Sequence, residues 1–172
     1  MRSITFTDFE HTYFQEPYFL EGVITNKLKL GRLITTTLNH DNVKKIFPYD
    51  FSSEGRLIAV MAIHLYMKKS GKVFIVHNGN NGDKSIHLCI EYIDEKGDIY
   101  FIDEEGVGSG SDFLRKMFLW EDCSTIKLEP FNINSLRLSK SPYSEDTDAL
   151  KAATKLSVIM ESMIGEWDGT IF

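Results

Sequence analysis

The stretch that most constrains the fold is 84–106, which has the pattern of two β-strands joined by a short turn. The strands, Ser85–Ile93 and Asp98–Asp103, are rich in Ile, Tyr and Phe, which favour extended backbone. Between them, Glu95-Lys96-Gly97 has the length of a three-residue hairpin loop, and Gly97 stands where such a loop needs a left-handed residue. The sequence therefore predicts an antiparallel hairpin with a defined register.

The length of that loop decides which side chains face each other across the hairpin. Three loop residues place Asp94 opposite Asp98 and, counted back along both strands, Cys89 opposite Asp103. Because side chains alternate along a strand, His87 then shares a face with Cys89 and Asp103. One face of the hairpin carries His87, Cys89, Glu91 and Asp103, and the other carries Ile86, Leu88, Ile90, Tyr92, Tyr100 and Ile102.

Periodicity elsewhere predicts the remaining elements. Helical spacing of apolar residues indicates the helices Ser53–Lys69, Asp112–Trp120 and Asp148–Ile164, besides a short one ending at Phe47. Apolar and β-branched runs indicate the strands Val23–Thr25, Arg32–Leu38, Lys72–His77, Thr125–Leu128 and Asn134–Leu138, and a sheet edge at Glu166–Phe172. The glycine-rich segment Gly106–Ser111 has the composition of a flexible linker. We predict one α+β domain over residues 1–172, in which a mostly antiparallel sheet packs with about three helices.

The composition limits the classes of function. A net charge of −6 and a pI of about 5.4 disfavour a broad nucleic-acid-binding surface, because phosphate binding needs a basic patch. Two cysteines outside any C-x-x-C pair exclude a disulfide framework and a Cys-rich zinc site. No stretch has the roughly 18 apolar residues of a membrane span, and the N-terminus lacks the apolar run of a signal peptide. We therefore expect a soluble intracellular, cytoplasmic protein that binds neither nucleic acid nor membrane.

The hairpin carries residue types found in nucleophilic enzymes. A cysteine hydrolase needs a thiolate, a histidine base beside it, and an aspartate or asparagine that orients the histidine. His87 and Asp103 supply the last two, and Cys123, which follows them in the chain, is the candidate nucleophile. Cys89 lies two residues along the strand from His87, where a cysteine is more often a packing residue. The predicted catalytic residues are thus His87, Asp103 and Cys123.

The same hairpin resembles the papain-like superfamily in the broad sense, which includes deaminase-type bacterial toxins and cysteine hydrolases. The resemblance rests on a His strand, Ile86–Tyr92, followed by a glycine turn and a strand that ends in Ile-Asp, Ile99–Asp103. It implies a papain-like scaffold in which the nucleophilic cysteine begins a buried helix that precedes the His strand. The helix predicted at that place begins with Ser52 and Ser53 and has no cysteine, so the resemblance implies a scaffold that lacks its nucleophile.

Aromatic residues crowd the N-terminal segment from Phe6 to Phe19, at spacings that fit neither a helix nor a strand. One interpretation is that their rings pin this segment onto the core, where aromatic residues mostly pack. The other is an aromatic binding surface, because interfaces draw on large rings that bury much area at low entropic cost. The binding residues predicted here are Tyr13, Phe14 and Tyr18.

An acidic run accompanies the hairpin and includes Asp98, Glu104 and Glu105. Like charges placed together contribute nothing to folding and suit the basic surface of a partner protein. We therefore predict a non-catalytic protein-interaction module, such as an inhibitor, immunity or accessory protein, that needs no cofactor. The alternative is a Cys- or Ser-dependent hydrolase or transferase that uses His87 and Asp103.

A metal site is a third interpretation of the hairpin, with His87, Glu91 and Asp103 as ligands. An imidazole and carboxylates suit several divalent ions. The same residues at strand spacing are also typical of an ordinary solvated face, so we predict no metal.

Overall fold

The computed structural model describes residues 1–5, 28–53, 55–80, 84–120, 124–131 and 149–172. Its strands are β1 Arg2–Thr5, β2 Lys72–Asn78, β3 Lys84–Ile93, β4 Ile99–Asp103, β5 Gly106–Ser109 and β6 Thr125–Pro130. Its helices are α1 Lys29–Leu38, α2 Asp41–Ile46, α3 Arg56–Tyr66, α4 Gly110–Trp120 and α5 Ala149–Ile164. Within the described ranges, no helix is long and apolar enough to cross a membrane.

The strands form one antiparallel sheet in the order β1-β6-β2-β3-β4-β5. Strand β2 lies inside the sheet, which explains its apolar V-F-I-V sequence, because both faces of a central strand are covered. The α+β class and the antiparallel sheet are thereby confirmed. The described residues form five helices rather than about three.

The β3–β4 hairpin has the predicted register. Ile90 pairs with Ile102, and the same register continued by one residue places Cys89 opposite Asp103. Gly97 has a φ of +86°, the left-handed conformation that closes the three-residue loop. The local signal was sufficient here because loop length and turn glycine together determine a hairpin's register.

A β-bulge at the start of β3 changes one detail of that prediction. Val76 pairs with His87, but His77 pairs with Ser85, which leaves Ile86 as an extra residue in β3. Ile86 therefore packs on the same side as His87, whereas strict alternation placed it on the opposite face. Bulges commonly redirect side chains in this way next to functional sites.

Helices cover both faces of the sheet and enclose an apolar cluster on each side. On one face, α1 and α3 pack on the strands and α5 packs on α3 and α1, in a cluster that includes Ile34, Ile63, Ile90, Ile102 and Leu156. On the other face, α4 covers a smaller cluster that includes Phe74, Cys89, Phe101, Leu114 and Met117. The sheet is thus held between two layers. Side chains of α3 and of α4 reach the start of β3 and the end of β4 from opposite sides.

The prediction of a strand at Arg32–Leu38 is wrong, because this segment lies in helix α1. Its apolar residues Leu30, Ile34 and Leu38 recur every four positions and are all buried, which is the spacing of a helix stripe. The run of threonines suggested a strand. In the structure Thr35 stays compatible with the helix because its hydroxyl donates to the Gly31 carbonyl at 3.1 Å.

The prediction of a flexible linker at Gly106–Ser111 is also wrong. Gly106–Ser109 is strand β5, which pairs with β4 from Asp103↔Gly106 onward. A two-residue turn, Glu104-Glu105, connects the two strands. Gly106 has a φ of +131°, a conformation that side chains rarely adopt, so this glycine serves a tight turn and not flexibility.

Of the three remaining predicted strand segments, two lie outside the described residues and one is described but is not a strand. Val23–Thr25 and Asn134–Leu138 lie outside the part of the chain that the structure describes. Glu166–Phe172 has no strand, but it packs as an irregular segment against the helices. Ile171 is 1% exposed, and its carbonyl accepts a hydrogen bond from the Leu30 N–H at 3.2 Å.

Candidate functional site

His87 and Asp103 lie side by side at one end of the sheet, where β3 begins and β4 ends. The hairpin register brings the two strands together, and the bulge residue Ile86 directly precedes His87. His87 Nε2 lies 2.8 Å from Asp103 Oδ2, and only 4% and 7% of the two side chains are exposed. The His87 ring also packs against Phe113 of α4, with 5.7 Å between ring centroids. The two residues therefore form a buried hydrogen-bonded pair.

Helix α4 adds a cation to this pair. Lys116 Nζ lies 3.3 Å from Asp103 Oδ2 and also binds the Glu105 carboxylate. The other Asp103 oxygen, Oδ1, accepts the Glu105 N–H at 2.8 Å. Burial raises the pKa of Asp103, but the hydrogen bond and charge of His87 and the charge of Lys116 outweigh it and lower this pKa to about 2. Asp103 is thus an ionised acceptor, so His87 Nε2 carries the shared proton and donates it.

Helix α3 binds the adjacent residue, Glu104, from the other side. Arg56, the first residue of α3, donates from Nε to Glu104 Oε1 at 2.7 Å and from Nη1 to the Ile86 carbonyl at 3.2 Å. Glu104 Oε2 is buried and has no hydrogen-bond partner among the described residues. Burial, followed by the charge of Asp103, raises the pKa of Glu104. Within the described part of the chain, one oxygen of this carboxylate therefore has a partner and the other has none.

The cysteine on the same strand is not placed for nucleophilic chemistry. Cys89 is 0% exposed and lies in the apolar cluster under α4. Burial, and then the charges of Asp103 and Glu91, raise the pKa of its thiol well above the usual value. A thiol held in its protonated form is a poor nucleophile. Cys123, the predicted nucleophile, lies outside the described residues.

An open cleft lies beside the polar cluster, with a volume of about 740 Å³. We call it the acidic cleft, since it is lined by Asp50, Glu104 and Glu105, with Lys44 as the basic residue and Phe47 and Tyr49 among the aromatic ones. Its volume falls in the range of about 300–1,000 Å³ that is common for ligand pockets. Segment 47–52 and the β4–β5 turn thus enclose enough space for a partner side chain or a short peptide.

The predicted binding residues are divided between separate places. Glu104 and Glu105 line the acidic cleft, whereas Asp98 is exposed at the opposite end of β4. At about 3.3 Å per strand residue, roughly 20 Å separates Asp98 from Glu104. The acidic run is therefore not gathered into one patch, and Glu104 itself is only 6% exposed. The remaining predicted binding residues, Tyr13, Phe14 and Tyr18, lie outside the described ranges.

Sequence reasoning missed the two cations of the site, Arg56 and Lys116. Lys116 lies on the buried side of α4 between Leu114 and Met117 and is 6% exposed. A lysine at a core position is a usable signal, because lysine is almost never fully buried without a partner. Arg56 had no comparable signal, because a first-turn arginine is ordinarily solvated.

Comparison of the chain with models of protein families, with curated proteins and with solved structures finds no match. The papain-like resemblance therefore stays a prediction, and the function is inferred from the geometry of the site.

Proposed function

We propose that this protein is a non-catalytic protein-interaction module that binds a basic segment of a partner protein in the acidic cleft. The proposal rests on a contrast between a cleft of about 740 Å³ that is open and a His87–Asp103 pair whose side chains are 4% and 7% exposed. Space for a partner is accessible, whereas the groups suited to chemistry are covered and bonded to each other. Such a protein acts as an inhibitor, an immunity protein or an accessory protein.

The start of α3 has no cysteine at the place where the papain-like resemblance implies a nucleophile. In the arrangement that the resemblance implies, a cysteine begins the helix that precedes the His strand. Here α3 begins with Arg56, preceded by Gly55. The Arg56 guanidinium binds Glu104 and the Ile86 carbonyl, so a cation occupies the junction between this helix and the start of the His strand.

The charge of the acidic cleft supports a basic partner. Asp50, Glu104 and Glu105 line it together with Lys44. Arg56 and Lys116, which bind two of these carboxylates, are not among the lining residues. Arg56 and Lys116 offset part of the charge from behind the lining, but the carboxylates are the groups that a partner would contact directly. Charge complementarity of this kind acts mainly on the association rate.

A cross-linking experiment tests the location of the binding site. A photoreactive amino acid is placed at Asn39, which lines the cleft and is exposed, or at Lys96, an exposed residue of the hairpin tip that serves as the matched control. After irradiation in native lysate, we expect a specific cross-linked protein from position 39 only. Equal cross-linking at both positions, or none at either, would contradict binding in the cleft.

Charge reversal then tests the sign of the partner's charge. Lys44→Glu makes the cleft more acidic, so a basic partner should associate faster with this variant at low salt and lose the advantage at high salt. Lys96→Glu makes the same charge change on the hairpin tip and should leave the rate constant unchanged. Slower association of the Lys44→Glu variant would show that the partner is acidic.

A Cys-dependent hydrolase or transferase is a second candidate, because His87 and Asp103 lie 2.8 Å apart as a catalytic pair would. With Nε2 donating to Asp103, Nδ1 of His87 is the nitrogen left to act as a base, and Cys123 is the thiol it would activate. Iodoacetamide labelling resolved by mass spectrometry tests this. Faster labelling of Cys123 than of a free thiol, slowed by His87→Ala, would establish the enzyme. Cys89 should stay unlabelled in the native protein, because it is fully buried.

A further inference from the structure

Three potential metal ligands meet at the end of the sheet. One ligand atom from each of His87, Asp103 and Glu104 lies within 4.8 Å of the others, and all three residues are buried. Ligands at about 2.0–2.2 Å from one ion stand no more than roughly 4.4 Å apart. His87 Nε2 and Asp103 Oδ2 lie 2.8 Å apart. In a tetrahedral site the ligand atoms stand roughly 3.3–3.6 Å apart, so the three side chains adjust their positions when an ion binds.

The unpaired oxygen of Glu104 is an independent indication of a ligand. The Glu104 side chain is 2% exposed, and its Oε2 has no hydrogen-bond partner among the described residues. Leaving a buried carboxylate oxygen unsatisfied is costly. A bound cation would satisfy it, and Arg56, which holds Oε1 at 2.7 Å, would orient the carboxylate as an outer-shell partner.

The neighbouring cations do not fully neutralise the carboxylates at this end of the sheet. Three carboxylates, those of Asp103, Glu104 and Glu105, face two cations, Arg56 and Lys116, so the acidic side chains outnumber the basic ones by one. Lys116 contacts both Asp103 and Glu105. It would remain paired with Glu105 if Asp103 Oδ2 turned to a metal ion.

We propose that His87, Asp103 and Glu104 form a binding site for one divalent transition-metal ion of the Zn²⁺ or Mn²⁺ class, which enters from the acidic cleft. One imidazole nitrogen and two carboxylate oxygens suit these ions better than Cu⁺, which prefers sulfur, or Ca²⁺, which takes six to eight oxygens. Binding replaces the His87–Asp103 hydrogen bond, and the Nε2 proton leaves to solvent. This set differs by one ligand from the set His87, Glu91 and Asp103 considered from the sequence. Glu91 binds Arg2 instead, and Glu104 is the third ligand.

Calorimetric titration of chelator-treated, tag-free protein with ZnCl₂ or MnCl₂ tests the site. We expect one ion per chain and at least about tenfold weaker binding by Glu104→Gln, which removes a ligand charge but keeps the side-chain shape. Glu91→Gln is the matched control, a buried carboxylate of β3 outside the cluster, and should bind as the wild type does. His77→Ala controls for adventitious binding at the His77–Glu129 surface pair. Unchanged affinity of Glu104→Gln, or no binding at a hundredfold excess of ion, would overturn the proposal.

A second measurement needs no variant of the cluster and therefore does not depend on its folding. In the ¹⁵N NMR spectrum of the wild-type imidazoles, one equivalent of Zn²⁺ should shift Nε2 of His87 and remove its attached proton. An ion that binds without perturbing His87 lies elsewhere, and the proposed site is then wrong. Both results are independent of the partner experiments, so failure of the metal site leaves the interaction proposal open to its own test.

Discussion

Strand β4 has an acidic turn at each end, and the two turns are built by the same local device. In the outer turn, Asp94 Oδ1 accepts the Lys96 N–H at 2.9 Å. In the inner turn, Asp103 Oδ1 accepts the Glu105 N–H at 2.8 Å. In each, an aspartate side chain caps a backbone N–H two residues later, which is an Asx-turn. Local sequence alone would treat the two ends as equivalent.

Their surroundings differ completely. The outer turn projects into solvent, with Glu95, Lys96 and Asp98 all exposed. At the inner turn, α4 brings Lys116 and α3 brings Arg56 onto buried carboxylates. The comparison shows that local sequence determines the turn conformation. The candidate site also needs Arg56 and Lys116, which helices distant in the chain contribute.

The largest expected effect comes from removing the cation of the inner turn. Lys116→Met keeps an unbranched side chain but leaves Asp103 and Glu105 without Lys116, and the side chains of Lys116 and Asp103 are each only 7% exposed. Breaking a buried ion pair in this way costs about 3–5 kcal/mol of unfolding free energy. Lys96→Met at the outer turn should change it by less than about 0.5 kcal/mol. Urea unfolding of both variants measures the difference. Similar losses of unfolding free energy would mean that the buried ion pairs of the inner turn do not stabilise the fold.

The same comparison explains which parts of the molecule the sequence predicted. The register of the β3–β4 hairpin depends on residues within one turn, so Gly97 and the loop length were enough to place Cys89 opposite Asp103. The pairing of His87 with Asp103 follows from that register. Helices α3, α4 and α5 were predictable for a similar reason, because their apolar spacing is a property of a single segment.

What the sequence did not predict depends on contacts between distant segments. The Arg56–Glu104 and Lys116–Asp103 contacts join residues 48 and 13 positions apart. No local pattern encodes them. Strand β5 was missed because its glycines also suit a linker, and only pairing with β4 distinguishes the two. Likewise, α1 was missed because its threonines favour strands, whereas burial of Leu30, Ile34 and Leu38 decides for a helix.

Acid should weaken the inner turn selectively. The pKa of Asp103 is lowered in the folded protein to about 2 from an ordinary value of 3.8. Its contribution to stability is therefore fully present above the ordinary value and is lost as pH falls towards the lowered one. Between pH 4.5 and pH 2.5, with EDTA present, the unfolding free energy of the wild type should fall by on the order of 1–2 kcal/mol more than that of Asp103→Asn.

Asp168 has a pKa that is also lowered to about 2, through its contact with Lys29. It is present in both proteins, so its contribution cancels in that difference. Urea titration at each pH measures the unfolding free energy of both proteins. Equal losses of unfolding free energy in the wild type and Asp103→Asn would show that the His87 and Lys116 contacts do not stabilise the ionised carboxylate.

Among the changes expected to lower stability, the smallest effect belongs to Gly97 of the outer turn and depends on backbone conformation alone. Gly97 has a φ of +86°, and a Cβ built there would meet nothing within 4 Å. Gly97→Ala should therefore cost only the penalty of a left-handed alanine, about 1 kcal/mol, and Gly97→Asn should cost less because asparagine tolerates this conformation. The hairpin tip forms its turn from its own residues. The loss of stability should therefore appear as faster amide exchange near Lys96, while the backbone amides around Lys116 stay protected. A loss above about 2 kcal/mol, or weakened protection around Lys116, would mean that the two ends of β4 are coupled and that the outer turn also depends on tertiary contacts.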